Sequence, residues 1–136
     1  MIQSIPLPIS QEALDNIVAL YRQEGWRAYL GDEAKLRRAF DNSLYLAGAF
    51  HEKQLIGMVR VVGDGEHVVL VQDLLVEAGH RRQGVGRALL AHVIERYKAV
   101  RTKLVITDVE DPIANEFYRK MGLCPIADKD MIAYIV

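Results

Sequence analysis

An anion could bind the segment 79–87, whose sequence is GHRRQGVGR and which lies between a predicted strand and a predicted helix. The N-terminus of a helix presents free backbone N–H groups and the positive end of the helix dipole, and glycines let a phosphate approach the main chain. The fixed charges are those of Arg81, Arg82 and Arg87. This combination predicts a diphosphate site. The alternative is a glycine-rich turn whose arginines are only solvated.

Two common phosphate-binding patterns do not fit this segment. A P-loop requires lysine and then serine or threonine directly after its second glycine, whereas Val85 and Gly86 follow Gly84. The dinucleotide fingerprint requires glycine or alanine where Leu89 stands. The spacing therefore argues against both nucleotide-binding classes.

The elements that position this segment follow from hydrophobic periodicity. Apolar residues at helical spacing predict a first helix from the N-cap Ser10 to Gly25, and a shorter second helix from Asp32 to Asn42. Three strand-like runs follow at 43–50, 55–62 and 67–76. Their short connections predict an antiparallel meander.

In the second half of the chain, predicted helices and strands alternate. A long amphipathic helix is predicted after Gly84, then a strand over 103–109, then a helix with Asp111 as its cap, and a closing strand over 131–136. A strand, a helix and a strand in that order form a βαβ unit with a parallel strand pair. The predicted fold class is α/β: a mixed, mostly antiparallel sheet with a central parallel βαβ unit flanked by helices.

Composition limits the functional classes. A chain of 136 residues fits one domain over 1–136, and its net charge of -1 gives no general attraction to nucleic acid or to an anionic membrane. The single cysteine, Cys124, excludes an internal disulfide and fits a reducing compartment, and the four histidines show no metal-ligand spacing. We expect a cytoplasmic protein with no metal and no nucleic-acid or membrane partner.

Two motifs resemble those of the GCN5-related N-acetyltransferase (GNAT) superfamily. The run 71–76 followed by Arg81-x-x-Gly84-x-Gly86 resembles its motif A, and the segment 114–123, with Asn115 and Phe117-Tyr118, resembles its motif B. The order of elements agrees, so the resemblance covers nearly the whole chain. The pair Gln72-Asp73 is similar to the acidic pair of glucosamine-phosphate acetyltransferases, but glutamine replaces the first acid. That departure argues against an amino-sugar acceptor.

The resemblance implies an enzyme that transfers the acetyl group of acetyl-CoA directly to a primary amine of a small molecule, within a ternary complex. It also implies the GNAT-like acyl-CoA N-acyltransferase fold and allows a homodimer. Acetyl-CoA would lie in a V-shaped gap between the strand ending at Val76 and the strand 103–109. The implied cofactor-binding residues are Leu75, Val76, Arg81, Arg82, Gln83, Gly84, Val85, Gly86, Arg87, Asn115 and Tyr118. The alternative function is a catalytically weak module that binds or senses acyl-CoA.

Acetylation of an amine requires a neutral nucleophile, yet only about one alkylamine in a thousand is neutral at pH 7. Asp73, on the strand leading to the gap, is the first candidate for the base and for a substrate contact. It could equally be a structural carboxylate paired with an arginine. Glu66, His67 and Glu110 are weaker candidates for the base.

The oxyanion would accept a hydrogen bond from a backbone N–H, which we assign to Val76. By the resemblance, Tyr118 would protonate the departing thiolate. Full proton transfer from a tyrosine to a thiolate is uphill by roughly 2 kcal/mol, so Tyr118 would act as a hydrogen-bond donor as much as an acid. Alternatively, it only packs beside Phe117. The resemblance implies that Trp26 and Tyr29, which follow the first helix, line part of the acceptor pocket; the alternative is a role in the core.

Overall fold

The computed structural model describes all 136 residues, which divide into two compact units, Met1–Ile106 and Thr107–Val136. The prediction of one domain stays a prediction. The first unit contains β1 (Ile2–Ser4), α1 (Gln11–Gln23), α2 (Glu33–Asp41), β2 (Tyr45–His51), β3 (Gln54–Gly63), β4 (Val68–Val76), α3 (Val85–Arg96) and β5 (Thr102–Val105). The second unit contains α4 (Pro112–Lys120). Short 3₁₀ turns lie at Arg27–Tyr29, Ala78–His80 and Ile126–Lys129. No helix is both long enough and apolar enough to cross a membrane.

The five strands form one sheet in the order β1-β2-β3-β4-β5. The first four strands are antiparallel neighbours, and β4 and β5 are parallel with α3 between them in the chain. The predicted mixed, mostly antiparallel sheet with a βαβ unit is therefore confirmed. The parallel pair lies at one edge of the sheet rather than at its centre, because no strand pairs beyond β5.

Three local predictions differ from the structure. The strand β1 was not predicted, since a run of three residues before two prolines carries no periodic signal. The strand predicted over 103–109 ends at Val105. The closing strand predicted over 131–136 is wrong, because these residues are exposed and adopt no regular structure. An apolar, β-branched run becomes a strand only where a neighbouring strand pairs with it.

Helices cover both faces of the sheet in the first unit. Buried residues of α1, among them Leu14, Ile17 and Leu20, pack in one core with Met58 and Leu75 of the strands. The predicted N-caps are confirmed: the side chain of Ser10 accepts a hydrogen bond from the Ala13 N–H, and that of Asp32 accepts one from the Lys35 N–H. On the face where α3 lies, Gly57 leaves room for the helix: a Cβ there would stand 3.2 Å from side-chain atoms of Val85 and Leu89.

Candidate active site

A gap opens in the sheet where β4 and β5 separate. The two strands pair from Val68 with Thr102 to Val71 with Val105, where β5 ends. β4 continues to Val76 and pairs only with β3 over this stretch. The β4 edge over residues 72–76 therefore has free backbone groups. A ligand rich in amides could pair with them.

The alternation of the strand determines which backbone groups face this free edge. The Glu77 N–H donates to the Ile56 carbonyl of β3 at 2.7 Å, and Gly57 stands opposite Val76. In an antiparallel pair successive residues direct their polar groups to opposite edges. The backbone N–H groups of Leu74 and Val76 therefore face the gap, whereas the backbone N–H of Leu75 faces β3. Leu74 is a candidate contact that the sequence did not suggest.

The start of α3 has the geometry of an anion site. Gly84, its N-cap, adopts a left-handed conformation (φ 82°) and has no side chain to accept hydrogen bonds from the first turn. That turn contains no acidic residue, and Arg87 lies within it. Space is open around Gly84, since nothing lies within 4 Å of a Cβ built there. Free N–H groups, an open approach and adjacent cations fit a diphosphate.

Arg81 differs from the other two arginines because its charge is already paired. Its guanidinium donates to Glu24 Oε1 and, at 3.2 Å, to the Val76 carbonyl. The exposed side chains of Arg82 and Arg87 make no ion pair. These two arginines are therefore the cations available to an anion. Gln83 bonds back to the Gly79 carbonyl at 3.4 Å.

A β-bulge decides where Asp73 points. Opposite β3, Arg60 pairs with Asp73 and Val61 pairs with Val71, so Gln72 is an extra residue in β4. A bulge reverses the alternation of side chains beyond it. Asp73 is thereby turned to the face covered by α1, where its carboxylate meets residues of that helix.

Asp73 is buried within a polar network. Its side chain is 0% exposed, and Oδ2 accepts from Arg60 Nε at 2.6 Å and from the Tyr21 hydroxyl at 3.0 Å. Oδ1 has no partner. Burial, and secondarily the Asp73 carboxylate, raises the pKa of Tyr21, so its hydroxyl remains a donor. Asp73 therefore has the structural role given above as the alternative, in which it pairs with an arginine. Because its carboxylate is enclosed, an amine from solvent does not reach it in this conformation.

Trp26 and Tyr29 are half-buried and lie against the ring of Tyr21. The Trp26 ring stacks at 5.7 Å between centroids, and the Tyr29 ring tilts at 5.3 Å. The exposed Gln72 donates to the Tyr29 hydroxyl at 3.3 Å, which ties this aromatic group to the bulge. Tyr21, Trp26 and Tyr29 thus form an aromatic cluster that is anchored in the core and still reaches the surface beside β4.

Asn115 and Tyr118 belong to α4 in the second unit. The Asn115 amide nitrogen donates to the carbonyls of Asp108 and Asp111, at 2.9 and 2.7 Å, so only its oxygen is free. Partial burial, and secondarily the Asp111 carboxylate, raises the pKa of Tyr118. Its hydroxyl therefore stays protonated at neutral pH. The ring also packs edge-on against Phe117 at 5.3 Å.

Two of the weaker candidates for the base, Glu66 and His67, do not lie at the gap. Glu66 and His67 precede Val68 at the opposite end of β4, about 26 Å along the strand from Val76 at about 3.3 Å per residue. Glu110 is exposed in the second unit. No three histidine, cysteine or acidic side chains are grouped to hold a metal ion.

Glu24 is a site residue that sequence reasoning missed. It is the C-cap of α1, and its side chain is 4% exposed. A negative charge at the C-terminal end of a helix opposes the helix dipole, so an acidic residue there requires a compensating partner. That mismatch was the available signal, and Arg81 is the partner.

Known proteins are similar to this chain in sequence and in fold. A family model described as the Acetyltransferase (GNAT) family matches residues 11–123. The chain is 33% identical over 102 residues to an uncharacterized N-acetyltransferase, ycf52, of Gracilaria tenuistipitata var. liui, which is 71% of this chain and 53% of that protein. It is 37% identical over 100 residues to a mycothiol acetyltransferase of Kineococcus radiotolerans, which is 68% of this chain and 33% of that protein. The chain thus matches about half or less of the length of these relatives.

A solved GNAT family acetyltransferase from Streptococcus pneumoniae TIGR4 superposes over 100% of this chain and 97% of its own, with a TM-score of 0.82 and 30% identity. The aminoglycoside N-acetyltransferase AAC(6')-Iy, solved with CoA, shares the fold at a TM-score of 0.69 and 18% identity over 100% of this chain and 98% of its own. The chain belongs to the GNAT acetyltransferase family.

Proposed function

We propose that the protein is an acetyl-CoA-dependent N-acetyltransferase that acetylates a primary amine of a small molecule by direct transfer in a ternary complex. The observation that carries this proposal is the free β4 edge over 72–76, which ends beside the uncapped start of α3. Names of relatives support the class, and the fold neighbour AAC(6')-Iy is described as an aminoglycoside N-acetyltransferase. The homodimer, the cytoplasmic location and the absence of nucleic-acid and membrane partners stay predictions.

Acetyl-CoA, when bound, supplies the thioester carbonyl that the amine attacks. The residues present fit it, because the free edge offers the backbone N–H and carbonyl of Leu74 to a pantetheine amide, next to the Val76 N–H. The N–H groups at 83–87, with Arg82 and Arg87, would hold the diphosphate. By the motif-B resemblance, the oxygen of Asn115, left free by its nitrogen's bonds, would be a further acceptor for the cofactor.

Two groups of the chain would act on the reacting atoms. The Val76 N–H, which faces the gap, would donate to the carbonyl oxygen as negative charge develops on it. The Tyr118 hydroxyl would donate to the departing thiolate. Because its pKa is raised, Tyr118 is a stronger candidate for hydrogen-bond donation than for complete proton transfer.

We assign Asp73 a positioning role in place of the role of base. It holds Tyr21, and Tyr21 supports the rings of Trp26 and Tyr29 that would contact the acceptor. Such half-buried rings desolvate an ammonium group and so favour its neutral form. The amine would then react in its neutral form, having released its proton to water, and its nitrogen would lose a second proton to water after attacking the thioester.

Replacing Tyr118 with phenylalanine is expected to lower kcat about 10- to 1000-fold, with little change in acetyl-CoA affinity. Only a hydroxyl is lost from a ring that keeps its contact with Phe117. Steady-state kinetics and calorimetric binding measure the two effects separately. Tyr134→Phe is the matched control, because Tyr134 is exposed in the same unit. An unchanged kcat in Tyr118→Phe would remove this donor from the mechanism.

A CoA-release assay over polyamines, amino sugars, amino acids, aminoglycosides and peptide N-termini tests the proposed function. We expect turnover with at least one class, with kcat/KM rising with pH toward the pKa of the amine, since no carboxylate of the chain is assigned to deprotonate it. Acetyl-CoA binding without turnover on any amine would instead support the binding or sensing module. No binding at all would refute both functions.

A further inference from the structure

The C-terminal end of α1 is attached to the segment that leads into the anion loop 81–87. Glu24 Oε2 accepts from the Ala78 N–H at 3.2 Å, and Oε1 accepts from the Arg81 guanidinium. One residue earlier, Gln23 donates to Glu77 Oε1 at 3.0 Å, and the other oxygen of Glu77 bonds His80 Nδ1 at 2.7 Å. We call this set of contacts the α1 clamp.

Burial gives the clamp its strength. The Glu24 side chain is 4% exposed, although that of Arg81 is 56% exposed. Removing a carboxylate from water is costly unless hydrogen bonds compensate, and here each oxygen of Glu24 accepts one. Few other conformations of the segment 77–81 would satisfy this carboxylate, so Glu24 restricts the path of the chain into the loop.

The clamp also fixes the position of one positive charge of the loop, that of Arg81. With Arg81 paired to Glu24 and to the Val76 carbonyl, its guanidinium is fixed across the base of the loop. Arg82, in a left-handed conformation at φ 62°, and Gly84, at φ 82°, follow directly. Glycine adopts a positive φ readily, but the conformation of Arg82 is sparsely populated for a residue with a side chain, so it needs external support to persist.

We propose that Glu24 is a positioning residue for the cofactor loop: through Ala78 and Arg81 it holds the loop in the conformation that aims the first-turn N–H groups of α3 at an anion. This inference rests on the proposed function, in which that anion is the diphosphate of acetyl-CoA. Glu24 lies two residues before Trp26, so the same clamp links the cofactor loop to the segment that carries the aromatic cluster. Glu24 itself would not contact a substrate, because its side chain is 4% exposed and both oxygens are occupied by Ala78 and Arg81.

The test compares Glu24→Ala with Glu12→Ala. Glu12 is an exposed acidic residue of the same helix, and its side chain makes no hydrogen bond or ion pair with a distant part of the chain. In Glu24→Ala we expect the Kd and KM for acetyl-CoA to rise about tenfold, as for the loss of one charge-assisted hydrogen bond of a preorganised loop. We expect kcat to stay within about twofold, because no group at the reacting atoms is removed. Amide hydrogen exchange at Ala78 and over 82–87 should accelerate.

Glu24→Gln is the conservative variant and keeps the shape of the side chain if Glu24→Ala does not fold. The amide replaces one of the two acceptor oxygens with an NH2 group, which cannot accept from Ala78 or Arg81, so one of the two hydrogen bonds is lost and the KM for acetyl-CoA should lie between those of the parent and the alanine variant. A Kd equal to that of Glu12→Ala, or a fall in kcat with an unchanged KM, would overturn the positioning role. If the unsubstituted protein does not bind acetyl-CoA, the proposed function fails and this role fails with it. Failure of the clamp alone leaves binding by the parent intact.

Discussion

Gly84→Glu is expected to abolish the binding of acetyl-CoA, a loss of at least about 100-fold in affinity. The added carboxylate would occupy the open space beside the first turn of α3 and repel the diphosphate there. In the parent protein, acetyl-CoA at about 100 times its Kd should stabilise the fold by about 2.7 kcal/mol, and the melting temperature should rise accordingly. The Gly84 variant should show no such rise.

Gly31→Glu is the matched control for this substitution. Gly31 also has a positive φ (103°) and nothing within 4 Å of a Cβ, so both variants incur a similar backbone strain of about 1–2 kcal/mol. Gly31 lies outside the anion loop, and its variant should respond to acetyl-CoA as the parent does. If Gly84→Glu folds and binds acetyl-CoA with the affinity of the parent, the start of α3 is not the diphosphate site.

Asp73→Ala is expected to lower the free energy of unfolding by about 3–5 kcal/mol, because it leaves the buried Arg60 guanidinium unpaired. It also removes the acceptor of the Tyr21 hydroxyl. Chemical denaturation measures the loss. The apolar replacement Tyr21→Phe/Arg60→Met/Asp73→Leu should restore most of it, since a buried ion pair contributes little compared with well-packed apolar side chains. If Asp73→Ala unfolds at the denaturant concentration of the parent, the network does not stabilise the fold.

Asp73→Asn separates the positioning role from the role of base. Asparagine keeps the size of the side chain but removes its charge. With a positioning role, the variant should be less stable and turn over more slowly at every pH, with an unchanged shape of the pH–rate profile. A catalytic base would instead show its largest loss below the pKa of the amine, with partial rescue at higher pH. That rescue would return Asp73 to the catalytic residues.

The pairing of β4 illustrates how far periodicity reaches. The alternation of apolar residues predicts the strand correctly, but it cannot show the extra residue at Gln72, because a bulge is defined only against the register of a partner strand. That one residue places the Asp73 side chain on the face covered by α1, opposite to the face of Val71, and there it pairs with Arg60 and Tyr21 instead of acting as the predicted base. Likewise, the run 131–136 has the composition of a strand, and only the absence of a pairing strand decides that it is not one.

By itself, the sequence determined what depends on local chemistry: the helices and their caps at Ser10, Asp32 and Asp111, the strand–helix–strand order, and the loop from Arg81 to Arg87 with its family motif. The tertiary structure alone decided which partners residues far apart in the chain acquire. Glu24 contacts Arg81 and Tyr21 contacts Asp73 across more than fifty positions of sequence. Because β5 ends at Val105, opposite Val71, the β4 edge is free from residue 72 onward. Burial and charge pairing depend on such distant neighbours, and no local pattern of residues encodes them.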